Sequence, residues 1–507
     1  MSRSCPRLVI AALRGSAGKT TLCAALAAAL NKRGVAVAPF KKGPDYIDAA
    51  WLSLASGRTC RNLDTFLMGR EEVVRSFSRH APKDAISIVE GNRGLYDGSN
   101  PEGEHSTAEL AKLLRAPVVL VVDCDKVTRT MAAMIMGCQR FDPEVAIRGV
   151  ILNRIAGERH ASIVRRTVEE YCHLPVLGTV PRMADIPFSE RHLGLIPPQE
   201  HDRVLPALGK AADIAGDYLD MEGLIQVAES ATPWEDHAFS GLQPADKTDH
   251  EQVTIGVIRD RAFQFYYPEN LETLADRGAH ILEISAVSDS SLHSVDALYI
   301  GGGFPETQAG LLAQNEAFRL SLREAAEKGL PIYAECGGFM FLGEALTVGG
   351  HEYPMVGFLP VSFVMEKRPQ AHGYTVVDVE RENPFFPVGT RLKGHEFHYS
   401  RLLARDAGEG HLAFRVERGS GIAGKRDGLC RKNVMATFTH LHALGTPQWA
   451  EGLVERARQY RDFRRKGEAF LSSPGQSSQR QRMITISQKI TEGGFRHAPD
   501  RAGRENL

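Results

Sequence analysis

The stretch Arg14-Gly15-Ser16-Ala17-Gly18-Lys19-Thr20-Thr21 constrains this chain more than any other. It follows an apolar run, Leu8–Leu13, and opens a helical segment, Thr20–Arg33. A strand, a glycine-rich turn and a helix in that order expose backbone N–H groups beside a helix N-terminus, which cradles phosphates. Gly15, Ser16, Ala17, Gly18 and Thr21 form that cradle, Lys19 is placed to reach the terminal phosphates, and Thr20 to ligate Mg²⁺. Such a unit belongs to an open parallel sheet with helices on both faces. Leu8–Ala12, Val35–Ala38, Ile86–Glu90, Val118–Asp123 and Gly149–Asn153 read as its buried strands. Thr20–Arg33, Thr107–Arg115 and Val127–Gln139 read as helices between them.

At 507 residues the chain needs more than one core. The strand–helix alternation stops near Pro181–Pro198, and residues 230–251 are polar and aperiodic, which marks a linker. It restarts with strands at Val253–Ile258, Ile281–Ile284, Ala297–Ile300 and Pro331–Ala334, and helices at Glu269–Arg277 and Glu306–Lys328. Tyr374–Val379 and Val434–Thr439 are strand-like without regular helices between them, so part of this second sheet should be antiparallel. The expected division is therefore 1–229, a linker at 230–251, 252–465, and a Ser/Gln/Arg/Gly-rich tail at 466–507 that should be disordered. Apolar residues at 43%, charged residues at 24% and a net charge of −1 describe a soluble globular protein. That charge offers neither a basic nucleic-acid footprint nor a polybasic membrane patch. No run approaches the roughly 18 apolar residues of a membrane span. Arg3 and Arg7 before Leu8–Leu13 look superficially like a signal peptide, but the apolar run is too short. Eight scattered cysteines without C-x-x-C spacing suit a reduced, cytoplasmic protein.

Two groups of residues carry chemistry. Carboxylates follow neighbouring strands of the first half: Asp45 and Asp48 in Lys41-Lys42-Gly43-Pro44-Asp45-Tyr46-Ile47-Asp48, and Glu90 and Asp97 in Glu90-Gly91-Asn92-Arg93-Gly94-Leu95-Tyr96-Asp97. In an open sheet these loops share the carboxyl edge with the phosphate loop. The acids there can hold Mg²⁺, with Glu90 and Thr20 foremost, while Lys41 and Lys42 offset phosphate or substrate charge. The plainer alternative is that Asp and Gly only make turns. Asp123 is a weaker candidate of the same kind. Asn153 is placed either to read an adenine edge or to serve a turn. In the second half, Pro331–Met340 reads as strand, sharp turn and helix, with Cys336 exposed at the elbow as a nucleophile. Gly302 and Gly303, ending another strand, and Gly337, after the cysteine, are placed to supply oxyanion N–H groups. His440, in Thr439-His440-Leu441-His442, is placed to act as base. Gly394-His395-Glu396-Phe397-His398-Tyr399-Ser400 lacks metal-ligand spacing, and on a strand its two histidines would point to opposite faces. It reads as a loop lining the join between the two sites.

The phosphate loop resembles the deviant form found in chromosome-partitioning ATPases and dethiobiotin synthetase, with Leu13 where the standard motif has glycine and Arg14 where Lys or Ser is common. The cysteine, histidine and glycine motifs resemble a class I-type glutamine amidotransferase of the cobyric acid synthase branch, in which the acidic triad member is absent. His442 occupies the place where the usual pattern has Glu, so the resemblance implies a Cys336–His440 dyad and leaves open what orients His440. Lys42–Asp48, Asn62-Leu63-Asp64, Glu90-Gly91, Arg191–Leu195, Ala334–Gly338 and Gly394–Ser400 occur together in order, and the set resembles the cobyrinic acid a,c-diamide synthase family to about residue 460. The resemblance implies an α/β nucleotide-binding domain joined to an amidotransferase domain. It also implies ATP, Mg²⁺ and L-glutamine, and a tetrapyrrole-derived ring whose carboxylates become amides through acyl phosphates. Close relatives act on hydrogenobyrinic acid, sirohydrochlorin, nickel sirohydrochlorin or siroheme, and those rings stay open, as does a homodimer. An alternative of another class is a partitioning-type ATPase switch with an inactive second domain, which would have no reactive thiol at Cys336.

Overall fold

Residues 2–183, 188, 190, 191, 194–201, 203–235, 252–403 and 411–472 are described by the computed structural model. The chain divides into two units at residue 458, the larger of them 1–458. The first half of the larger unit is built on seven strands: β1 (Arg7–Ala12), β2 (Val37–Lys42), β3 (Arg61–Leu63), β4 (Ile86–Glu90), β5 (Val118–Asp123), β6 (Ile147–Ile155) and β7 (Val176–Pro181). Their order is β3-β2-β4-β1-β5-β6-β7 and every pairing is parallel. β1 and β5 lie at the centre as continuous apolar runs, because helices cover both faces of a parallel sheet. β1 begins at Arg7, whose buried guanidinium donates to the carbonyls of Cys5, Leu114, Arg115 and Thr232.

Helix α1 (Lys19–Lys32) starts at Gly18, where φ is 88°. A β-carbon there would strain the backbone and stand 2.5 Å from the Asn153 amide nitrogen, so glycine is required. Leu22, Leu26 and Leu30 of α1 are buried, each contributing about 1.5–3 kcal/mol. Helix α2 (Tyr46–Ser56) is capped by the Asp45 side chain, which accepts from the Asp48 amide, and ends at Gly57 with φ of 67°. Sequence periodicity misses α2, and it misplaces β2. That strand runs on to Lys42 because the Lys41 and Lys42 side chains are buried among partners. The expected helix Val127–Gln139 lies at Thr130–Phe141.

The second half carries β8 (Val253–Ile258), β9 (Ala279–Ile284), β10 (Ala297–Ile300), β11 (Ile332–Glu335), β12 (Ala371–Val379), β13 (Arg391–His398), β14 (His411–Arg418), β15 (Arg426–Arg431), β16 (Val434–Thr437) and β17 (His440–Leu441). They form one sheet in the order β9-β8-β10-β11-β16-β15-β14-β12-β13-β17. Pairings from β9 to β16 are parallel, and the remainder antiparallel, as the missing helices imply. The expected helix Glu306–Lys328 is broken, since Asn315 caps a new helix at Glu316 by accepting from the Phe318 amide. A smaller four-stranded sheet joins Ala345–Val348, His351–Pro354, Ser362–Met365 and Ser400–Leu403.

The two sheets pack into a single unit. Tyr46 stacks on Phe265 at 5.1 Å, Phe66 stacks on Tyr374 at 4.2 Å, and Arg61 bonds Glu272 at 2.6 Å. Within the expected linker, Trp234 is buried against Phe77 in a short strand paired with Ser2–Arg3. Residues 236–251 lie outside the described residues. The first residues of the expected tail, 466–472, belong to the helix Pro447–Ser472. Residues 473–507 lie outside the described residues.

Candidate active site

Parallel topology brings the β1, β2 and β4 loops to one edge. There Thr20 Oγ1 lies 2.7 Å from Glu90 and 3.1 Å from Asp48. The Lys41 ammonium sits between the same carboxylates, 2.6 Å from Asp48 and 2.8 Å from Glu90. Burial opposes the charge on Lys41, but Asp48 and Glu90 outweigh it and hold its pKa well above the usual lysine value. Burial likewise opposes ionisation of Asp48, and Lys41 overcomes it, so that pKa falls. For Glu90 burial prevails and the pKa rises. Burial and the neighbouring Asp48 push Asp45 up to about 7. Glu90 Oε2 is buried with no hydrogen-bond partner among the described residues.

Lys19 donates to the Arg93 carbonyl at 2.7 Å, and burial lowers its pKa. Ser16 has φ of 57° and Arg93 of 50°, so the phosphate loop and the loop facing it both hold residues in the left-handed region. Three expected site residues are engaged differently. Asn153 Nδ2 donates to the Ala17 carbonyl and its Oδ1 accepts from the Arg154 amide, so its side chain braces the phosphate loop. Asp97 accepts from the Gly94 amide, a turn-making bond. Asp123 pairs with Arg14 and Arg154, each at 2.7 Å.

At the other end β11 delivers Cys336, with φ of 47° and ψ of −98°, before helix α3 (Gly337–Leu342). Such an elbow costs about 1–3 kcal/mol of strain; Cys336, expected to be exposed there, is instead buried, because Phe397, His395 and His440 close over it as walls of one pocket. Its amide is anchored on the Thr437 carbonyl at 2.8 Å. The Cys336 thiol donates to the Phe397 carbonyl at 3.9 Å, and His440, lining the same pocket, has its Nδ1 3.2 Å from Glu335 Oε2. Burial opposes the imidazolium, yet Cys336 and Glu335 outweigh it and push the pKa up to about 10. Burial holds the pKa of His395, stacked 4.9 Å from His440, well below the usual value. Gly302 abuts the imidazole, since a β-carbon there would stand 2.6 Å from its Cε1. A β-carbon on Gly337 would lie 3.0 Å from the Gly303 amide, so the expected oxyanion residues adjoin one another.

His442 faces elsewhere, with Nε2 3.7 Å from Glu269 and its ring 4.5 Å from Tyr267, and burial pushes its pKa down to about 3. The segment Gly394–His398 is the end of β13, not a loop, and His395, Phe397 and His398 line the Cys336 pocket. Asp45, Tyr46 and Ile47 of the first half close the same pocket. Tyr46 touches His440 with ring centroids 5.7 Å apart, while Asp48, two residues on, belongs to the Thr20–Glu90 cluster. Helix α2 therefore bears on both sites. Glu335 and Tyr46 were not expected as site residues. An acid ending an otherwise apolar strand was the available signal for Glu335, because a buried carboxylate must be paired.

Residues 8–195 match the CobQ/CobB/MinD/ParA nucleotide binding domain, and residues 254–448 the CobB/CobQ-like glutamine amidotransferase domain. A cobyrinate a,c-diamide synthase of Magnetococcus marinus is 42% identical over 90% of this chain and 98% of its own length. Those of Archaeoglobus fulgidus (42%; 89% and 97%) and Methanothermobacter thermautotrophicus (38%; 90% and 100%) are similar over comparable spans. With an ATP-binding half and a glutamine amidotransferase half in one unit, this chain belongs to the cobyrinate a,c-diamide synthase family of glutamine-dependent amide-forming ligases.

Proposed function

We propose that this chain amidates the a- and c-acetate carboxylates of cobyrinate, using ATP to activate each carboxylate and glutamine to supply ammonia. The names of its relatives support that substrate. The observation that carries the coupled reading is α2, which presents Asp48 to the phosphate loop and Tyr46 to His440. In the first half, a ring carboxylate oxygen attacks the γ-phosphorus of ATP, giving an acyl phosphate and ADP. Lys19 and the amides of Gly15–Thr21 hold the transferring phosphate. Thr20, Asp48 and Glu90 offer a hydroxyl and two carboxylates, one with an unpartnered buried oxygen. That hard oxygen set fits Mg²⁺, which would neutralise phosphate charge when bound.

In the second half, Cys336 passes its proton to His440 and attacks the carboxamide carbon of glutamine. Amides of Gly302, Gly303 and Gly337 receive the oxyanion. The carbon–nitrogen bond breaks, His440 returns the proton to the departing ammonia, and water later cleaves the thioester to glutamate. Ammonia then attacks the acyl phosphate and inorganic phosphate leaves.

Asp45→Asn is a sharp test of the activating side. Asparagine caps helices as well as aspartate, so stability should change by less than about 0.5 kcal/mol. Assayed above pH 7, where the Asp45 carboxyl is ionised, the variant lacks that charge beside the phosphate site, and turnover should fall at least roughly tenfold. Equal losses of turnover and melting temperature would make Asp45 a turn residue only.

The substrate is tested by mass analysis of products from cobyrinate, hydrogenobyrinate, sirohydrochlorin, its nickel complex and siroheme, each with ATP, Mg²⁺ and glutamine. One phosphate loop and one Cys336 elbow serve two acetates, so a monoamide of cobyrinate should accumulate before the diamide. Amidation of sirohydrochlorin or siroheme with cobyrinate untouched would overturn the choice of ring.

A further inference from the structure

We propose that Glu335 is the positioning residue of the ammonia-releasing site, supplying through the strand before the nucleophile the carboxylate that His442 does not. The proposal rests on the glutaminase reading of Cys336 and His440. Glu335 is 1% exposed, and a carboxylate so placed must be held by partners. Oε2 meets His440 Nδ1 at 3.2 Å and accepts from the Tyr299 hydroxyl at 3.2 Å. Oε1 accepts from the Leu441 amide at 3.2 Å. One carboxylate thus grips both the imidazole and the backbone of the strand that carries it. Asn270 fixes the same segment, donating to the Leu441 carbonyl at 3.0 Å and accepting from the Ala443 amide at 2.7 Å.

The local chain explains how adjacent residues serve one imidazole. Successive side chains of a strand point to opposite faces. The turn at Cys336, with φ of 47°, breaks that alternation, so that Glu335 meets His440 Nδ1 while Cys336 lines the same pocket as His440. A hydrogen bond at Nδ1 leaves Nε2 for the thiol, fixing the tautomer, and the negative charge stabilises the imidazolium that forms when Cys336 loses its proton. The groups facing His440 are Cys336, Glu335, His395 and Tyr46, while Tyr299 and Tyr333 face Glu335. Among these Glu335 is the carboxylate. His442 cannot take its part, since its own ring is turned to Glu269 and Tyr267.

Glu335→Gln keeps the shape and an oxygen acceptor while removing the charge. Glutaminase kcat should fall about 10²- to 10⁴-fold, with KM for glutamine changed less than about threefold. Iodoacetamide labelling of Cys336, followed by peptide mass mapping, should shift its pH profile upward, because the imidazolium that stabilises the thiolate is weakened. Unchanged kcat and an unchanged labelling profile would overturn the proposal. Ammonium-driven amidation reports whether the variant is folded. If it is lost too, ¹⁵N-histidine spectra of the wild-type protein decide, with His440 expected to carry both protons near pH 8. A neutral His440 at that pH would refute the role of Glu335. Glutaminase activity surviving Cys336→Ser would instead refute the underlying reading.

Discussion

Cys336→Ser should abolish glutamine-dependent amidation, by at least about 10³-fold, and leave ammonium-driven amidation near the wild-type rate. In the proposed mechanism the thiolate releases ammonia and takes no part in activating the ring carboxylate, so free ammonia should bypass it. Serine is nearly isosteric, and the elbow geometry survives, because the backbone anchor on Thr437 does not involve sulfur. What changes is acidity. A hydroxyl is far harder to deprotonate than a thiol, and the positive charge favoured on His440 then has no thiolate beside it. Assays with glutamine and with an ammonium salt, on the same preparation, check the split. Loss of both activities in a folded variant that still binds ATP would contradict the role of Cys336.

The second large effect reverses that pattern. Lys19→Ala should stop amidation with either nitrogen source, by roughly 10²- to 10³-fold, because charge on the transferring phosphate is no longer offset. Lys19 bonds the Arg93 and Arg14 carbonyls, and burial makes its charge costly, so an anionic partner suits it. Glutaminase turnover should survive in part, since Cys336, His440 and Glu335 lie on the other sheet. Ammonium-driven product at the wild-type rate would exclude Lys19 from phosphate transfer.

Much of this arrangement was legible in the sequence. Gly18-Lys19-Thr20-Thr21 after an apolar strand allows few other folds, and acids at the ends of neighbouring parallel strands must converge. Other features depend on contacts distant in the chain. Lys41 and Lys42 look like a polar strand end, yet both are buried, Lys41 between Asp48 and Glu90 and Lys42 beside Tyr374. Helix α2 carries no clear apolar period, because its apolar residues serve two neighbours: Trp51 faces Phe188, while Tyr46 faces Phe265. Asn153 and Asp97 occupy the expected edge, where Asn153 bonds the distant Ala17 carbonyl and Asp97 the nearby Gly94 amide. Glu335 was hidden by its position before the nucleophile, since its partner lies 105 residues away across the sheet.

The central claim is that a ring carboxylate is activated as an acyl phosphate before ammonia arrives. It is tested most directly with cobyrinate labelled with ¹⁸O in its acetate carboxylates, converted with ATP, Mg²⁺ and glutamine, and followed by mass analysis of the phosphate released. One ¹⁸O atom should appear in inorganic phosphate for each amide formed, because the attacking carboxylate oxygen leaves with the phosphorus. Amide formation with unlabelled phosphate, or with the label in AMP, would contradict the account.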